Sequence, residues 1–257
     1  MPTVALLSDI HANVHALRAV LDEVARLKID QVVFCGDIVG YGPHPAECVK
    51  LVRETGGMGV LGNHDFYTVA ASSQPGALPS DPESLCNPVL AGIHYAVNHL
   101  DQDAIEWLGA LPRAIAIPGG VVAHNALHDL EHWPYLHGFK DALPTLEILE
   151  RIQIDIGFFG HTHRQEWFCL PGNPGNEPCT ESPCQLLDTT VYAVVVGSVG
   201  QPRTGDTRAA WTVWDSDARC FEFHQTVYPN DQTAKDIHEA GLPASSARRL
   251  LGQSMNR

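Results

Sequence analysis

The chain has 257 residues, enough to bury a substantial core as one large domain or two small ones. Sixteen Lys and Arg stand against 30 Asp and Glu, a formal charge of −14, which excludes a surface built to coat nucleic acid, since that binding neutralises phosphates with Lys and Arg. A composition of 44% hydrophobic and 18% charged residues excludes a disordered chain, and no apolar run reaches the roughly 20 residues that span a bilayer.

Val4-Ala5-Leu6-Leu7 is a short apolar run that reads as a buried strand. The stretch from Met1 to Asp9 has no basic lead and meets an acid at once, so no signal peptide is expected and the protein is assigned to the cytoplasm. From Ala12 to Leu27, the residues Val14, Leu17, Leu21, Val24 and Leu27 recur at helical spacing. Val32 to Cys35 is a second strand, Pro45 to Glu54 a second helix with Pro in its first turn, and Met58 to Leu61 a third strand. This βαβαβ opening predicts a mostly parallel sheet with ligands at the carboxyl ends of its strands.

Pro, Ser and Gly between Ser72 and Pro88 mark a loop. Val89–Leu100 and Asp103–Ala110 read as helices, so that residues 65–110 form a helical, cap-like insertion beside the site. Ala114–Ile117 and Val121–Ala123 flank Gly119-Gly120 as a hairpin. Leu143–Ile152 is helical and Ile154–Phe159 a strand. After Arg164 come four strand-like runs, Gln165–Leu170, Thr190–Val196, Ala209–Trp214 and Cys220–Val227, which predict a second, more antiparallel sheet. Pro171–Pro183 is a loop, and residues 231–252 read as two short helices broken at Gly241-Leu242-Pro243. No linker or repeat divides the chain, so residues 1–257 are read as a single α/β domain.

The strands finish in polar clusters of unusual composition. They are Asp9-Ile10-His11, Gly36-Asp37, Gly62-Asn63-His64-Asp65 and Gly160-His161-Thr162-His163, with His124 after Val121-Val122-Ala123. In extended chain, residues i and i+2 point the same way, which lets Asp9 and His11 share one ion and His161 and His163 serve two adjacent ions. Glycines before Asp37, Asn63 and His161 allow sharp turns there. Each motif alone has an ordinary reading: a helix cap for Asp9, surface histidines for His161 and His163, a plain turn for Gly36-Asp37. Together, carboxylate, imidazole and amide form a mixed N/O set that suits Mn, Fe, Zn, Co or Ni better than Ca or Mg. Seven scattered Cys, an odd number, read as free thiols in a reducing compartment. Cys179 and Cys184 lack the second pair of a zinc site.

In this order, the five motifs over residues 9–163 resemble the calcineurin-like metallophosphoesterase superfamily. Gly36-Asp37-Ile38-Val39-Gly40-Tyr41-Gly42-Pro43 and Gly197-Ser198-Val199-Gly200-Gln201-Pro202-Arg203 are similar to a bacterial and archaeal subgroup of it. The resemblance implies an α/β fold of two mixed parallel and antiparallel sheets in an αββα sandwich, with the metal site at the C-terminal ends of the strands. It implies two divalent transition ions, manganese first among them. Asp9, His11, Asp37 and His163 would hold one. Asp37, Asn63, His124 and His161 would hold the other, with Asp37 bridging and a shared hydroxide as nucleophile.

It places His64 beside the metals on the phosphate, as leaving-group acid or charge stabiliser, with Asn63 also touching substrate. Asp65 either orients His64 or caps the following helix. Arg203 either contacts the phosphate or braces its loop. The metals would add roughly +4 to the −14 of the chain, so that an anionic ester can be held. The chain departs from the family pattern in His124-Asn125, where His-Gly is frequent, and in Val195-Val196-Gly197-Ser198, where Asn-Pro-Gly-Ser is frequent.

The expected activity is hydrolysis of a small phosphate ester, a phosphodiester before a monoester. Val39-Gly40-Tyr41-Gly42 stands where phosphoprotein phosphatases, and their dinucleoside-polyphosphate relatives, carry Asp-Arg-Gly. The competing class is a non-catalytic scaffold of the same fold that binds protein. No ligand is lost here, which argues against it. A membrane or a nucleic-acid polymer is not expected as partner, and a homo-oligomer is left open.

Overall fold

A computed structural model describes residues 3–74, 87–172 and 177–253. Cys86, most of the loop expected over 72–88 and part of that over 171–183 lie outside the described residues. The chain opens with β1 (Thr3–Leu7), α1 (Val14–Leu27), β2 (Gln31–Phe34), α2 (Pro45–Glu54), β3 (Met58–Gly59) and α3 (Asn63–Ser73). There follow α4 (Pro88–His99), α5 (Gln102–Gly109), β4 (Ala114–Ile117), β5 (Gly120–Ala123), α6 (Phe139–Arg151), β6 (Ile156–Phe159) and β7 (Gln165–Leu170). It ends with β8 (Cys184–Gln185), β9 (Val191–Val196), β10 (Ala209–Asp215), β11 (Cys220–Thr226), α7 (Asn230–Glu239) and α8 (Ala244–Leu250).

Two mixed sheets result, ordered β3-β2-β1-β10-β11-β8 and β4-β5-β6-β9-β7. β1 is apolar from Val4 to Leu7 because both of its faces are covered there. Val4 and Leu6 point into the layer between the sheets, among Val33, Phe158, Val194, Trp214 and Phe221. Ala5 and Leu7 point the other way, onto Leu17 and Val20 of α1 and Trp211. On the far side, Leu146 and Leu149 of α6 cover Phe159, Phe168 and Val195. The order is therefore helix, sheet, sheet, helix, the αββα sandwich that the resemblance implied. Polar side chains start the helices: Asn13 accepts from Ala16 N, Asn87 from Val89 N and Asp101 from Ala104 N.

The four late strands do not make up one second sheet. Only β7 and β9 join β4, β5 and β6. β10 pairs antiparallel with β1, with Val4 opposite Trp214, and brings β11 and β8 into the first sheet. Alternation shows that a strand is half-buried, not which partner it takes. α3 is also absent from the apolar pattern, because five residues of its buried face are Asn63, His64, Asp65, Thr68 and Ala71. α6 starts four residues earlier than expected, at Phe139, and carries Pro144 inside it. Residues 63–109 supply α3, α4 and α5. Ala96, Ala104 and Leu108 pack into the same apolar layer as α1 and α2.

Candidate metal centre

The site is built where the chain leaves its strands. β1 stops at Leu7 and β2 at Phe34, and the two exits are laced together. Asp9 N donates to Gly36 O at 3.0 Å, His11 N to Asp37 O at 3.0 Å and Ala12 N to Ile38 O at 2.9 Å. The loop after β9 closes over the first exit: Val199 N donates to Ser8 O, and Gly200 N and Ser198 Oγ donate to Asp9 O, each at 2.9 Å. Asp9, His11, Asp37, His161 and His163 all have φ between +49° and +69°. Asp9 and His11 therefore do not share a face by extended-chain alternation, as the i, i+2 spacing suggested. Left-handed backbone turns each side chain inward. Such conformations cost of order 1–3 kcal/mol each and persist where the surroundings impose them.

Two glycines act here through the room they leave. A Cβ on Gly62 would strike the Asp37 carboxylate and amide, and one on Gly160 would strike Ser8 Oγ and Asp9 Oδ2. Neither needs a positive φ. The expected role of the glycines before Asn63 and His161 thus changes from turning to close approach.

The seven residues read as metal ligands come together and are all buried. Asp9 Oδ1 lies 3.1 Å from His163 Nε2 and 3.7 Å from His11 Nε2. Asp37 Oδ2 lies 3.3 Å from His124 Nε2 and 3.7 Å from His11 Nε2. Asn63 Oδ1 is 3.1 Å from His124 Nε2. The donors fall into two groups, Asp9 with His11 and His163, and Asp37 with His124 and His161; His11, Asp37 and His64 form an overlapping third group between them.

The outer nitrogens of the rings are occupied. His11 Nδ1 donates to Val39 O, His163 Nδ1 to Gln201 O, His124 Nδ1 to Cys35 O and His161 Nε2 to Trp133 O. These bonds fix the rings and turn the other nitrogens inward, as lone-pair donors wherever the ring is neutral. Two such lone pairs, His11 Nε2 and His163 Nε2, face each other at 3.2 Å. Asp9 Oδ1 is buried without a hydrogen-bond donor.

The electrostatics match a cation site. Burial raises the pKa of Asp9, but His163 and His11 outweigh it and hold the carboxylate ionised. Asp37 is likewise held well below the carboxylate range against its burial, chiefly by His124 and His64. His124 is pushed up to about 9: burial lowers it, and the charge and hydrogen bond of Asp37 prevail. Burial holds His161 down to about 3 and His163 to about 4, so both rings are neutral at pH 7. Ionised carboxylates buried beside neutral His161 and His163, and beside His124, which would give up its proton to an ion, suit divalent transition ions.

Asp65 does not touch the His64 ring through any hydrogen bond. Its carboxylate accepts from Ile38 N at 2.9 Å, Val39 N at 3.1 Å and Gly62 N at 3.1 Å, so it caps α3 and ties that cap to the Asp37 turn. Burial, and then the charge of Asp37, push its pKa up to about 7. His64 N donates to Asp37 Oδ1 at 2.8 Å. The His64 ring is buried, its Nδ1 has no partner, and burial lowers its pKa to about 3. The ring packs between His11 and Tyr41, at centroid distances of 4.8 and 4.6 Å.

Arg203 Nη2 donates to Tyr41 OH at 3.4 Å, Arg203 N donates to His163 O, and its Nε is buried without a partner. Arg249 of α8 is half-buried nearby: burial lowers its pKa, and the charge of Arg203 lowers it further. Tyr135 stacks on His161 at 3.9 Å and on His137 at 4.7 Å. Tyr41, Trp133, Tyr135, Ser198 and Arg249 were not marked as site residues from the sequence. Tyr41 and Ser198 stand inside the two quoted subgroup motifs, which could have pointed to them; no spacing signals Trp133, Tyr135 or Arg249. Asn125 holds its own loop by donating to Asp129 O at 2.6 Å. Gly197 keeps a φ of +96°, with its missing Cβ facing Ala210 and Gln165. None of the six described cysteines forms a disulfide.

A family model, calcineurin-like phosphoesterase, matches residues 2–165. An uncharacterized protein of Methanocaldococcus jannaschii is 30% identical over 253 residues, 96% of this chain and 97% of that one. A symmetrical bis(5'-nucleosyl)-tetraphosphatase of Erwinia tasmaniensis is 40% identical over 68 residues, 25% of each chain. Among solved structures, a metallophosphoesterase from Sphaerobacter thermophilus is 30% identical, covers 98% of this chain and 99% of its own, and superposes with a TM-score of 0.82. The chain belongs to the calcineurin-like phosphoesterase family.

Proposed function

We propose that the protein hydrolyses small phosphodiesters at a pair of divalent transition ions, manganese first among them. The observation that carries this reading is the convergence of buried, ionised Asp9 and Asp37 with imidazole lone pairs fixed by backbone carbonyls. Asp9, His11 and His163 would hold one ion, His124, Asn63 and His161 the other, and Asp37 both. Bound there, the ions supply charge to offset the phosphate and lower the pKa of the attacking water.

The rest of the chemistry falls to side chains. His64, neutral and with an open nitrogen, donates a hydrogen bond to the phosphate. Asp65 is a positioning residue that keeps the turn of Asp37 against the start of α3. Arg203, which has an open Nε, binds a phosphate oxygen with Arg249 beside it. The protein, loaded with Mn²⁺, is expected to turn over an aryl phosphodiester faster than the matched monoester. A monoester preference overturns the diesterase assignment, and no turnover of either with metal bound favours the scaffold.

A second reading has a dinucleoside polyphosphate as substrate. It is supported by the local likeness to the tetraphosphatases and by the two guanidiniums, which suit a second phosphate. The missing Asp-Arg-Gly argues against it. Release of nucleoside diphosphate at a higher kcat/KM than aryl diester hydrolysis would select it.

A further inference from the structure

A second cluster of ligand-type side chains lies outside the centre described above. His15 stands at the start of α1, His44 just before α2, and Asp236 within α7. His15 Nε2 is 2.8 Å and His44 Nε2 3.3 Å from one and the same atom, Asp236 Oδ2. The two rings stand edge to face at 5.5 Å. These spacings match those inside the first centre, 3.1 Å for His163 to Asp9 and 3.3 Å for His124 to Asp37. A tetrahedral ion bound at about 2.0–2.1 Å needs donor atoms roughly 3.3 Å apart; the two imidazoles stand 2.8 and 3.3 Å from the carboxylate, and all three donor atoms lie within 4.8 Å of one another.

The donors are also in the right state. Burial lowers the pKa of His44, so its ring offers a lone pair at neutral pH. Burial raises the pKa of Asp236, but the hydrogen bonds from His15 and Gln232 outweigh it and keep the carboxylate ionised. Each of the three side chains is between 15% and 22% exposed, so an ion can reach them. A cleft of about 500 Å³ opens beside His44 and Asp236, and Glu47, His99 and Glu239 also line it. It leaves space for water or a further ligand in an open coordination position.

We propose that His15, His44 and Asp236 form a separate site for a divalent transition ion such as Zn²⁺. Two imidazoles and one carboxylate are an N/O set of that preference. The ion fastens α7 to the starts of the first two helices. It acts close to the loop that carries His11, because Thr233 of α7 also donates to Asn13 Oδ1 at 3.1 Å.

The test counts metal in the full chain. Wild type, Asp236→Asn and His15→Gln are stripped with chelator, dialysed against Zn²⁺ and analysed by elemental mass spectrometry, with circular dichroism to check folding. Each variant is expected to hold one equivalent of zinc fewer than wild type and to show a smaller zinc-induced rise in Tm. Equal zinc content in the three proteins overturns the site and leaves a plain His–Asp hydrogen-bond pair. Because the readout is a difference, it stands whether the first centre holds two ions, one or none.

Discussion

His64 is the side chain whose surroundings say most about its task. It is enclosed by Tyr41 and His11, yet its Nδ1 meets no acceptor or donor. Burying an unpaired polar atom costs about 1–3 kcal/mol, which a hydrogen bond to a bound phosphate would offset. Gly40, at φ +93°, lets the ring sit there, since a Cβ would collide with its Nδ1. His64→Ala is expected to keep the wild-type metal content and lose about 10²–10³-fold in kcat, the range for removing one positioned donor. Metal analysis beside diester kinetics checks this, and full turnover in the variant takes His64 out of the reaction. The convergence of the candidate ligands was legible in the sequence because their types are rare at strand ends and recur in order. Asp65 was only half legible: a carboxylate three residues after a glycine fits a cap and a partner for His64 equally well, and only the bonds to Ile38, Val39 and Gly62 decide.

At the level of elements, the strands are launching points and the loops do the aiming. The exits of β1 and β2 are held by reciprocal backbone bonds, and α3 begins inside the site. Gly62 is where these parts press closest. Gly62→Ala is expected to displace the Asp37 turn and to lower metal content and activity together, with activity falling roughly 10²-fold, as small misplacements of reacting groups do. Retention of both metal and rate would show that the turn has slack. Most helices and strands were read within a few residues, because their apolar spacing reports burial directly. The pairing of β10 with β1 was not readable, since a strand buried on both faces carries no mark of its neighbour. A helix after Asp65 was expected, but its extent, Asn63–Ser73, could not be read from apolar spacing, since its inward face is mostly polar.

For the molecule as a whole, most buried charge is confined to the centre, and Glu166 is an exception. It lies on β7, on the same face as Phe168, nearly inaccessible and with Oε1 unpartnered. Burial raises its pKa from 4.5 to about 7, against a lowering by Arg164. Below pH 4.5 the group is protonated in both folded and unfolded chains and costs nothing. Between 4.5 and about 7 the folded state holds the proton more tightly, so stability falls as pH rises, and the loss is complete above that window. Glu166→Gln is therefore expected to melt higher than wild type at pH 8, with the gap narrowing towards pH 5. Thermal melts at both values check it, and a gap that does not change with pH would mean that Glu166 is already ionised in the fold.

The position of β10 has a consequence for how the protein comes into being. The first strand of the chain takes its second neighbour from residues 209–215, and Asp9 takes its cover from residues 197–201. During synthesis β1 can join β2 almost at once, but its other edge has nothing to pair with until four-fifths of the polypeptide exists. Long-range pairing of this kind is closed late and slowly. The candidate metal centre is thus finished from far along the chain, and its side chains are made well before the loop that covers Asp9 exists to close over them.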